Sequence, residues 1–304
     1  MMPKCIIFFT IAAGLPMASA ADFQKSWDNA QDRRITVFTP HGDIKLSGHD
    51  GKNIDVSAVK KGPDGERVAI EDVSVGNHIN IFSRYMDPAR NDATVDFEIR
   101  VPKEIFYVVE PMSKFQDVRG MYFQDFPGGT PPPTGAPESP KPPPPPGVST
   151  LPRISPPPGF MQFPHAIFLK SNSGQIRISD VAGSIRVEGR NIEIQNVEGM
   201  LYASSGSGDI NGTLKQTSRR GGVLRLSSSS GNISLQAPND IGAQVRIQST
   251  TGQVKTDFPL ETNVMRYGGK FIEGRLGDGN QILDIRSVSG AISFFKKPPG
   301  TNGK

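Results

Sequence analysis

Six carboxylates in the second half of the sequence are the first candidates for chemistry, because they fall at turns or at outward positions of predicted strands. They are Asp180, Glu188, Glu193, Glu198, Asp209 and Asp278. A glycoside hydrolase needs a facing pair of carboxyl groups roughly 5 to 10 Å apart, one of them with a raised pKa. These six alternate with the apolar residues expected to point inward. We therefore expect solvated surface groups and assign no catalytic residue.

Metal and cofactor chemistry finds little support in the sequence. Calcium-binding β-rolls need tandem Gly-Gly-x-Gly-x-Asp turns, and the glycine-rich turns at residues 206–209 and 277–280 lack that tandem. The four histidines show no metal-ligand spacing: His41, His49, His78 and His165. Neither a Gly-x-Ser-x-Gly elbow nor a phosphate-binding loop occurs. The sequence predicts no metal site, no cofactor and no enzyme activity, and the many serines are interpreted as turn formers.

The composition favours many turns and short strands, because Gly (33) and Pro (27) are abundant and aromatic residues make up 8% of the chain. Alternating runs bounded by turn residues predict six to eight half-buried strands in the first part of the chain. These runs lie at residues 34–38, 43–46, 53–57, 78–81 and 94–101. Phe23, Trp27 and Ala30 follow Asp22 at helical spacing, which predicts a brief helix over the open end of the sheet.

A turn-and-strand unit of the form Ser-Gly-x-Ile/Val repeats in the second part of the chain, first in steps of eight or nine residues. The units begin near Ser173, Gly183, Asn191, Gly199, Gly208, Ser230, Thr251 and Ser289. Glycine adopts turn dihedrals without a Cβ penalty, and the two apolar residues that follow, one apart, point into a core. One unit cannot bury its own apolar face, so stacked units are expected. This predicts an all-β, β-solenoid or β-helix-like repeat domain, with a β-sandwich of hairpins as the alternative.

Residues 1–20 are predicted to be a secretory signal peptide. Lys4 precedes an apolar run, and residues 18–20 (Ala-Ser-Ala) form the small-x-small pattern of a cleavage site. An uncleaved anchor is the alternative, although the run is shorter than the roughly 20 residues of a membrane span. The only cysteine, Cys5, lies inside this segment, so the mature chain would have no disulfide. We expect an exported protein, periplasmic, cell-surface or secreted, without a transmembrane span after signal removal.

A proline-rich segment at residues 127–164 interrupts the strand patterns. Proline fixes φ and removes a backbone donor, so this segment is predicted to be a disordered or polyproline insertion. Residues 21–126 and 165–304 are then the N-terminal and C-terminal parts of one β-strand-repeat domain. Two domains joined by a linker are the alternative.

Charge excludes one class of partner. The formal net charge is only +4, with 34 basic and 30 acidic residues interspersed. Proteins that bind phosphate backbones cluster their lysines and arginines. We expect no nucleic-acid partner.

The repeat units resemble the bacterial family of putative adhesins with β-strand repeats, a domain of unknown function. The matching stretches are residues 42–48, residues 101–103, the units from Ser173 onward, and residues 277–292. The resemblance implies an exported, right-handed β-helix-like domain, and "adhesin" is a proposed label rather than a demonstrated activity. The chain departs from the family pattern by inserting residues 105–163 where a strand should lead directly into the repeat units.

These features predict a non-enzymatic exported protein, an adhesin or cell-envelope scaffold. Its expected partner is an unknown envelope component, either a glycan or a protein. The alternative is a carbohydrate-active β-helix enzyme that uses turn carboxylates, since β-helices also include polysaccharide lyases and hydrolases. A structural or sensory envelope module is a third possibility.

Overall fold

The chain folds into two large β-sheets, which we name sheet A and sheet B. The computed structural model describes residues 21–28, 30, 33–86, 92–105, 166–215, 221–264 and 269–298. The chain divides into two units, residues 1–107 with 165–304 and residues 108–164. All described residues belong to the first unit.

The described strands belong to the two sheets, and from β6 to β17 they alternate between them. Before residue 106 they are β1 Phe23–Trp27, β2 Arg34–Thr39, β3 Ile44–His49, β4 Ile54–Lys61, β5 Val68–Asp72, β6 His78–Tyr85 and β7 Thr94–Pro102, with a short 3-10 helix at Gly65–Arg67. After residue 165 they are β8 Ile167–Ser171, β9 Gln175–Ser179, β10 Ala182–Glu188, β11 Asn191–Gln195, β12 Glu198–Ser205, β13 Ile210–Thr213, β14 Gly222–Ser228, β15 Ile233–Ala237, β16 Ala243–Ser249, β17 Val254–Thr256, β18 Glu261–Val264, β19 Lys270–Leu276, β20 Gln281–Ser287 and β21 Ile292–Lys296.

Sheet A has the strand order β1-β4-β7-β3-β9-β11-β13-β15-β21-β17, and sheet B has the order β18-β19-β16-β20-β14-β12-β10-β8-β2-β6-β5. The chain passes from a strand of sheet B to the next strand of sheet A, and we call each such pair a coil. The coils are β2–β3, β6–β7, β8–β9, β10–β11, β12–β13, β14–β15, β16–β17 and β20–β21. Neighbouring coils pair in parallel, whereas hairpins of a β-sandwich would pair antiparallel. The fold is therefore all-β and solenoid-like, and the handedness of the coils stays a prediction.

The core lies between the sheets and consists of ladders of branched aliphatic side chains. Alternate residues of a strand point to one face, so one ladder runs along each inner face. The ladder of sheet A contains Ile44, Ile176, Ile192, Ile210, Ile233 and Ile292, and that of sheet B contains Ile35, Ile167, Ile185, Leu201, Leu224 and Leu283. Each such buried side chain contributes about 1.5–3 kcal/mol relative to an exposed one.

The turn from sheet B to sheet A begins with a buried serine. The hydroxyls of these serines accept hydrogen bonds from the backbone N–H of the glycine three residues later, in the pairs Ser171–Gly174, Ser205–Gly208, Ser228–Gly231 and Ser287–Gly290. The glycines also stack closely, since a Cβ on Gly231 would lie 1.9 Å from the carbonyl oxygen of Gly208. The close approach of neighbouring backbones therefore requires glycine, and the interpretation of these serines as turn formers is confirmed.

Two coils lie out of chain order. The coil β2–β3 sits between β6–β7 and β8–β9, and the coil β20–β21 sits between β14–β15 and β16–β17. Antiparallel strands follow at both ends of the stack: β4 and β1 beyond β7, β5 beyond β6, and β19 and β18 beyond β16. Stacking of successive units was thus predicted correctly for the middle of the stack and not for its ends.

The predicted helix near the start is wrong, because Phe23–Trp27 is strand β1, paired antiparallel with β4. Phe23 and Trp27 are four apart, an even number, so their spacing also places both on one face of a strand. The predicted signal peptide (1–20) and proline-rich insertion (127–164) lie outside the described residues. Each sheet contains described strands from before and after that gap. The predicted domain bounds stay predictions.

Candidate functional site

The outer face of sheet B has a row of aromatic and arginine side chains in register. We name it the arginine row, and it contains Phe168, Arg186, Tyr202, Arg225, Asp284, Arg246 and Glu273 on β8, β10, β12, β14, β20, β16 and β19. Their neighbours in sequence fill the core, so these side chains point outward, and the strand register places each about 4.8 Å from the next. The result is a continuous surface about 30 Å long.

Ring contacts hold several of these guanidinium groups in place. Arg186 lies 5.8 Å from the centroid of the Phe168 ring, and Arg225 lies 5.4 Å from that of Tyr202. Both distances are within the range of cation–π attraction. The side chains of Arg186 and Arg225 remain 30% and 33% exposed, so they are held by the sheet and still available to solvent.

Asp284 is the buried acid of the row, with its side chain 6% exposed. Arg286 binds it through two hydrogen bonds of 2.8 Å, from Nε and Nη2. The Nε of Arg225 lies 3.3 Å from Asp284 Oδ2, an ion pair without hydrogen-bond geometry. A bidentate arginine–carboxylate pair fixes the plane of the guanidinium, so Asp284 orients the arginines around it.

A notch opens at one edge of this face because one turn is short. The buried positions Leu169 and Ile176 are seven residues apart across their turn, and so are Ala203 and Ile210, whereas Val187 and Ile192 are only five apart. The turn between β10 and β11 therefore lacks two residues, and Gly189 stands where the flanking coils have buried serines. The depression left behind measures about 290 Å³.

Polar side chains from three neighbouring coils line this notch, namely those of Lys170, Asn172, Glu188, Arg190, Ser204 and Ser207. Glu188 accepts hydrogen bonds from Arg186 at 2.7 and 3.0 Å and lies 3.3 Å from Lys170. Arg190 is exposed. The notch is continuous with the arginine row, since Glu188 and Arg186 are two residues apart on the same face of β10.

Opposing effects act on the pKa of Glu188. Partial burial raises it, but the hydrogen bonds from Arg186 and the attraction of Arg186 and Lys170 outweigh burial and lower the pKa below its usual value. Glu188 is therefore a carboxylate at neutral pH, and its oxygens serve as hydrogen-bond acceptors at the floor of the notch.

The six carboxylates considered from the sequence are distributed over both sheets and several turns. Glu188 lies on the outer face of sheet B and Glu193 on that of sheet A, where it pairs with Arg177 at 3.3 Å, so these two do not face each other. Asp180 accepts a hydrogen bond from Asn196. Asp209 accepts the backbone N–H of Asn232 in the next coil at 2.8 Å.

The remaining two carboxylates are in strand and turn positions. Glu198 begins β12, and its backbone N–H donates to Val181. Asp278 accepts hydrogen bonds from Asn280 in the turn between β19 and β20. The prediction that the protein is not an enzyme stays a prediction.

The described histidines have structural contacts. His41 contacts Ser173 at 3.1 Å and packs edge-on against Tyr85. The Nδ1 of His49 accepts the backbone N–H of Gly51, so its Nε2 donates to the carbonyl of Asn53. His78 begins β6, and His165 lies outside the described residues. Among the described residues, His, Cys, Asp and Glu side chains form no group of three that could bind a metal ion.

Sequence reasoning assigned no site residues and so missed both the arginine row and the notch. Two signals for them are visible in the sequence. A ring or a guanidinium group follows the core positions Ile167, Ile185, Leu201 and Leu224. The spacing from Val187 to Ile192 is two residues shorter than in the flanking coils. Both signals require the coils to be aligned with one another first.

Fold and surface together define a two-sheeted, solenoid-like β scaffold with an arginine-rich outer face. Residues 165–294 match the model of the Toastrack DUF4097 family. The resemblance to a family of unknown function with β-strand repeats is thereby confirmed for the second part of the chain. The stretches at residues 42–48 and 101–103 lie outside the matched region.

Two solved structures are similar to the chain. One is a putative cell adhesion protein from Clostridium sporogenes ATCC 15579, with 10% sequence identity and a TM-score of 0.46, covering 90% of this chain and 99% of that one. The other is a putative lipid binding protein from Parabacteroides distasonis ATCC 8503, with 10% identity and a TM-score of 0.30, covering 92% and 98%. Both scores are below 0.5, so we base no functional inference on them. No curated protein matches the chain.

The described segments contain no helix with the length and hydropathy of a membrane span.

Proposed function

We propose that the protein is a non-enzymatic exported adhesin, namely a scaffold that binds a cell-envelope glycan through the outer face of sheet B. The arginine row is the observation that carries the proposal. Aromatic rings stack on the C–H faces of sugar rings, and planar guanidinium groups donate paired hydrogen bonds to hydroxyl and carboxylate oxygens. A row of both, repeated along a rigid sheet, suits an extended glycan chain.

Rigidity supports this assignment. The arginine row lies on strands rather than loops, and ladders of buried side chains lie directly beneath it. Binding groups that are fixed in advance lose little conformational entropy when the ligand arrives. The signal peptide predicted at residues 1–20 supports export to the periplasm, the cell surface or the medium, where envelope glycans are found.

A matched pair of aromatic substitutions tests the proposal. Tyr202→Ala removes a ring from the arginine row, and Phe295→Ala removes an outward-facing ring from β21 on sheet A. Affinity electrophoresis of the full chain through gels containing polygalacturonate, dextran or extracted envelope polysaccharide measures binding. We expect Tyr202→Ala to weaken binding about fivefold, which corresponds to roughly 1 kcal/mol of aromatic contact. Phe295→Ala should have no effect.

Equal effects of the two substitutions, or no retardation by any polysaccharide, would contradict the proposal. The enzyme alternative makes a different prediction, namely release of reducing or unsaturated sugars from these polymers. No release after prolonged incubation, together with retained binding, separates a binding scaffold from a hydrolase or lyase.

A further inference from the structure

The notch between β10 and β11 has the size and the chemistry of a pocket for one acidic sugar. We infer that it binds a single carboxylate-bearing residue of the glycan and so gives the scaffold a preference for acidic glycans. This inference rests on the proposed function, because it names the ligand class of the same face.

Size is the first argument. Binding sites for small molecules measure about 300–1,000 Å³, and the notch, at about 290 Å³, is close to the lower limit of that range. It is open to solvent along the face of sheet B, where Phe168 and Tyr202 flank Arg186. One sugar ring fits the notch while the rest of the chain continues over the arginine row.

Charge is the second argument. Lys170 and Arg190 line the notch, and within the described residues no hydrogen bond or ion pair occupies the guanidinium of Arg190. Lys170 shares Glu188 with Arg186. The three cations Lys170, Arg186 and Arg190 exceed the one carboxylate of Glu188, which leaves an excess of positive charge for an anionic group. A guanidinium binds a carboxylate through two parallel hydrogen bonds.

The neutral and acidic groups of the notch suit the rest of a sugar ring. Glu188 accepts hydrogen bonds from sugar hydroxyls because its lowered pKa keeps it ionised. Asn172, Ser204 and Ser207 both donate and accept. A simple inorganic anion would use the cations and leave these groups without partners.

Acidic side chains argue against a nucleic acid on this face. Glu188, Asp284 and Glu273 lie in or beside the arginine row. A phosphate backbone requires several uncompensated cations in sequence, and here each carboxylate is paired with an arginine. A glycan with one carboxylate per sugar and many hydroxyls fits this mixture better.

The flanking turns supply a substitution that fills the notch. Replacing Gly189 and Arg190 with the sequence Ser-Asn-Ser-Gly of residues 171–174 restores the seven-residue spacing found in the neighbouring coils. This filled-turn variant should fold, because turns of the same length already stack on both sides. Arg190→Ala is the smaller change and leaves the turn length intact. Arg177→Ala removes an arginine from the outer face of sheet A, away from the notch, and is the control.

The experiment is titration calorimetry of the full chain with hexamers of galacturonate, of methyl-esterified galacturonate and of neutral galactose. Wild type should bind the galacturonate hexamer about tenfold more tightly than the ester, the difference expected for one charge-assisted hydrogen-bonded pair. Arg190→Ala and the filled-turn variant should lose this preference and still bind the neutral hexamer. Arg177→Ala should behave as wild type.

The outcomes separate failure of the inference from failure of the proposed function. If Tyr202→Ala weakens binding but Arg190→Ala and the filled turn leave the acid preference unchanged, the notch is not the acid pocket and the glycan-binding face stands. If wild type binds none of the hexamers or polysaccharides, both ideas fail. Tight binding of duplex DNA that Arg190→Ala abolishes, without binding of galacturonate, assigns the notch to phosphate and overturns the inference.

Discussion

The outer faces of the two sheets are built on the same coils and differ in chemistry. On β13, β15 and β21 of sheet A, uncharged polar side chains point outward at Asn211, Thr213, Ser234, Gln236 and Ser293. The corresponding strands of sheet B have the arginine row. Inner positions on both sheets are the same aliphatic ladders.

This difference shows how a repeat fold separates stability from recognition. The inner positions and most of the serine–glycine turns are alike from coil to coil, because each coil packs on the next. Outward positions lack this constraint, so one face can concentrate rings and guanidinium groups while the other has uncharged polar side chains on β13 and β15. Changes to shared parts should therefore affect both faces, and changes to outward parts only one.

The largest effect is expected from Gly231→Ala in the turn shared by both sheets. The new Cβ would lie 1.9 Å from the carbonyl oxygen of Gly208, and relief of such a clash costs about 3 kcal/mol or more of the free energy of unfolding. Gly206→Ala is the matched control in a neighbouring serine-rich turn, since its Cβ meets nothing within 4 Å. Its effect should stay within about 0.5 kcal/mol. Urea denaturation measures both, and similar losses would contradict the stacking explanation.

A smaller effect is expected from the acids of the two outer faces. Asp284→Ala on sheet B removes the buried partner of Arg286 and Arg225, and should lower the free energy of unfolding by about 2–3 kcal/mol. Glu193→Ala on sheet A removes an exposed partner of Arg177 and should cost less than about 0.5 kcal/mol. Chemical denaturation of both variants checks the contrast. Equal losses would mean that the arginine row is no more ordered than the opposite face.

The smallest effect concerns acid stability at the notch. The folded-state pKa of Glu188 is below its ordinary value of 4.5, so its pairing stabilises the protein above that value and is lost as the pH falls through the lowered pKa. As the pH falls from about 6 to below 4.5, the melting temperature of wild type should decrease more than that of Glu188→Gln. Thermal melts across that range measure the difference. Parallel pH profiles of the two proteins would show that Glu188 is not held as the structure indicates.

Most of the coil pattern could be predicted from the sequence because it is local. Glycine at a turn followed by alternating aliphatic residues, as at Gly231 and Ile233, gives the same signal in every coil. The order of the coils could not be predicted, because Ile292 pairs with both Ile233 and Val254 and nothing in the local pattern distinguishes these neighbours. The antiparallel strands at the ends, such as β5 and β19, have weaker alternation and were not identified.

The candidate site depends on register rather than on motifs, which is why sequence reasoning missed it. Arg186 and Tyr202 are sixteen residues apart in the chain and adjacent in the sheet. Each alone is an ordinary outward residue of a strand. Their alignment follows only once Ile185 and Leu201 are recognised as equivalent core positions.

The position of the coil β20–β21 bears on how the protein matures. A ribosome finishes residues 281–296 after both neighbours of this coil, so the nascent chain keeps a vacant slot between two strands of each sheet until then. Unpaired strand edges on both sides of that slot are templates for aggregation, and contacts between distant residues form slowly. The proposed export suits this strand order, because chains are threaded through a secretion pore unfolded and this chain would then stay unfolded until synthesis is complete.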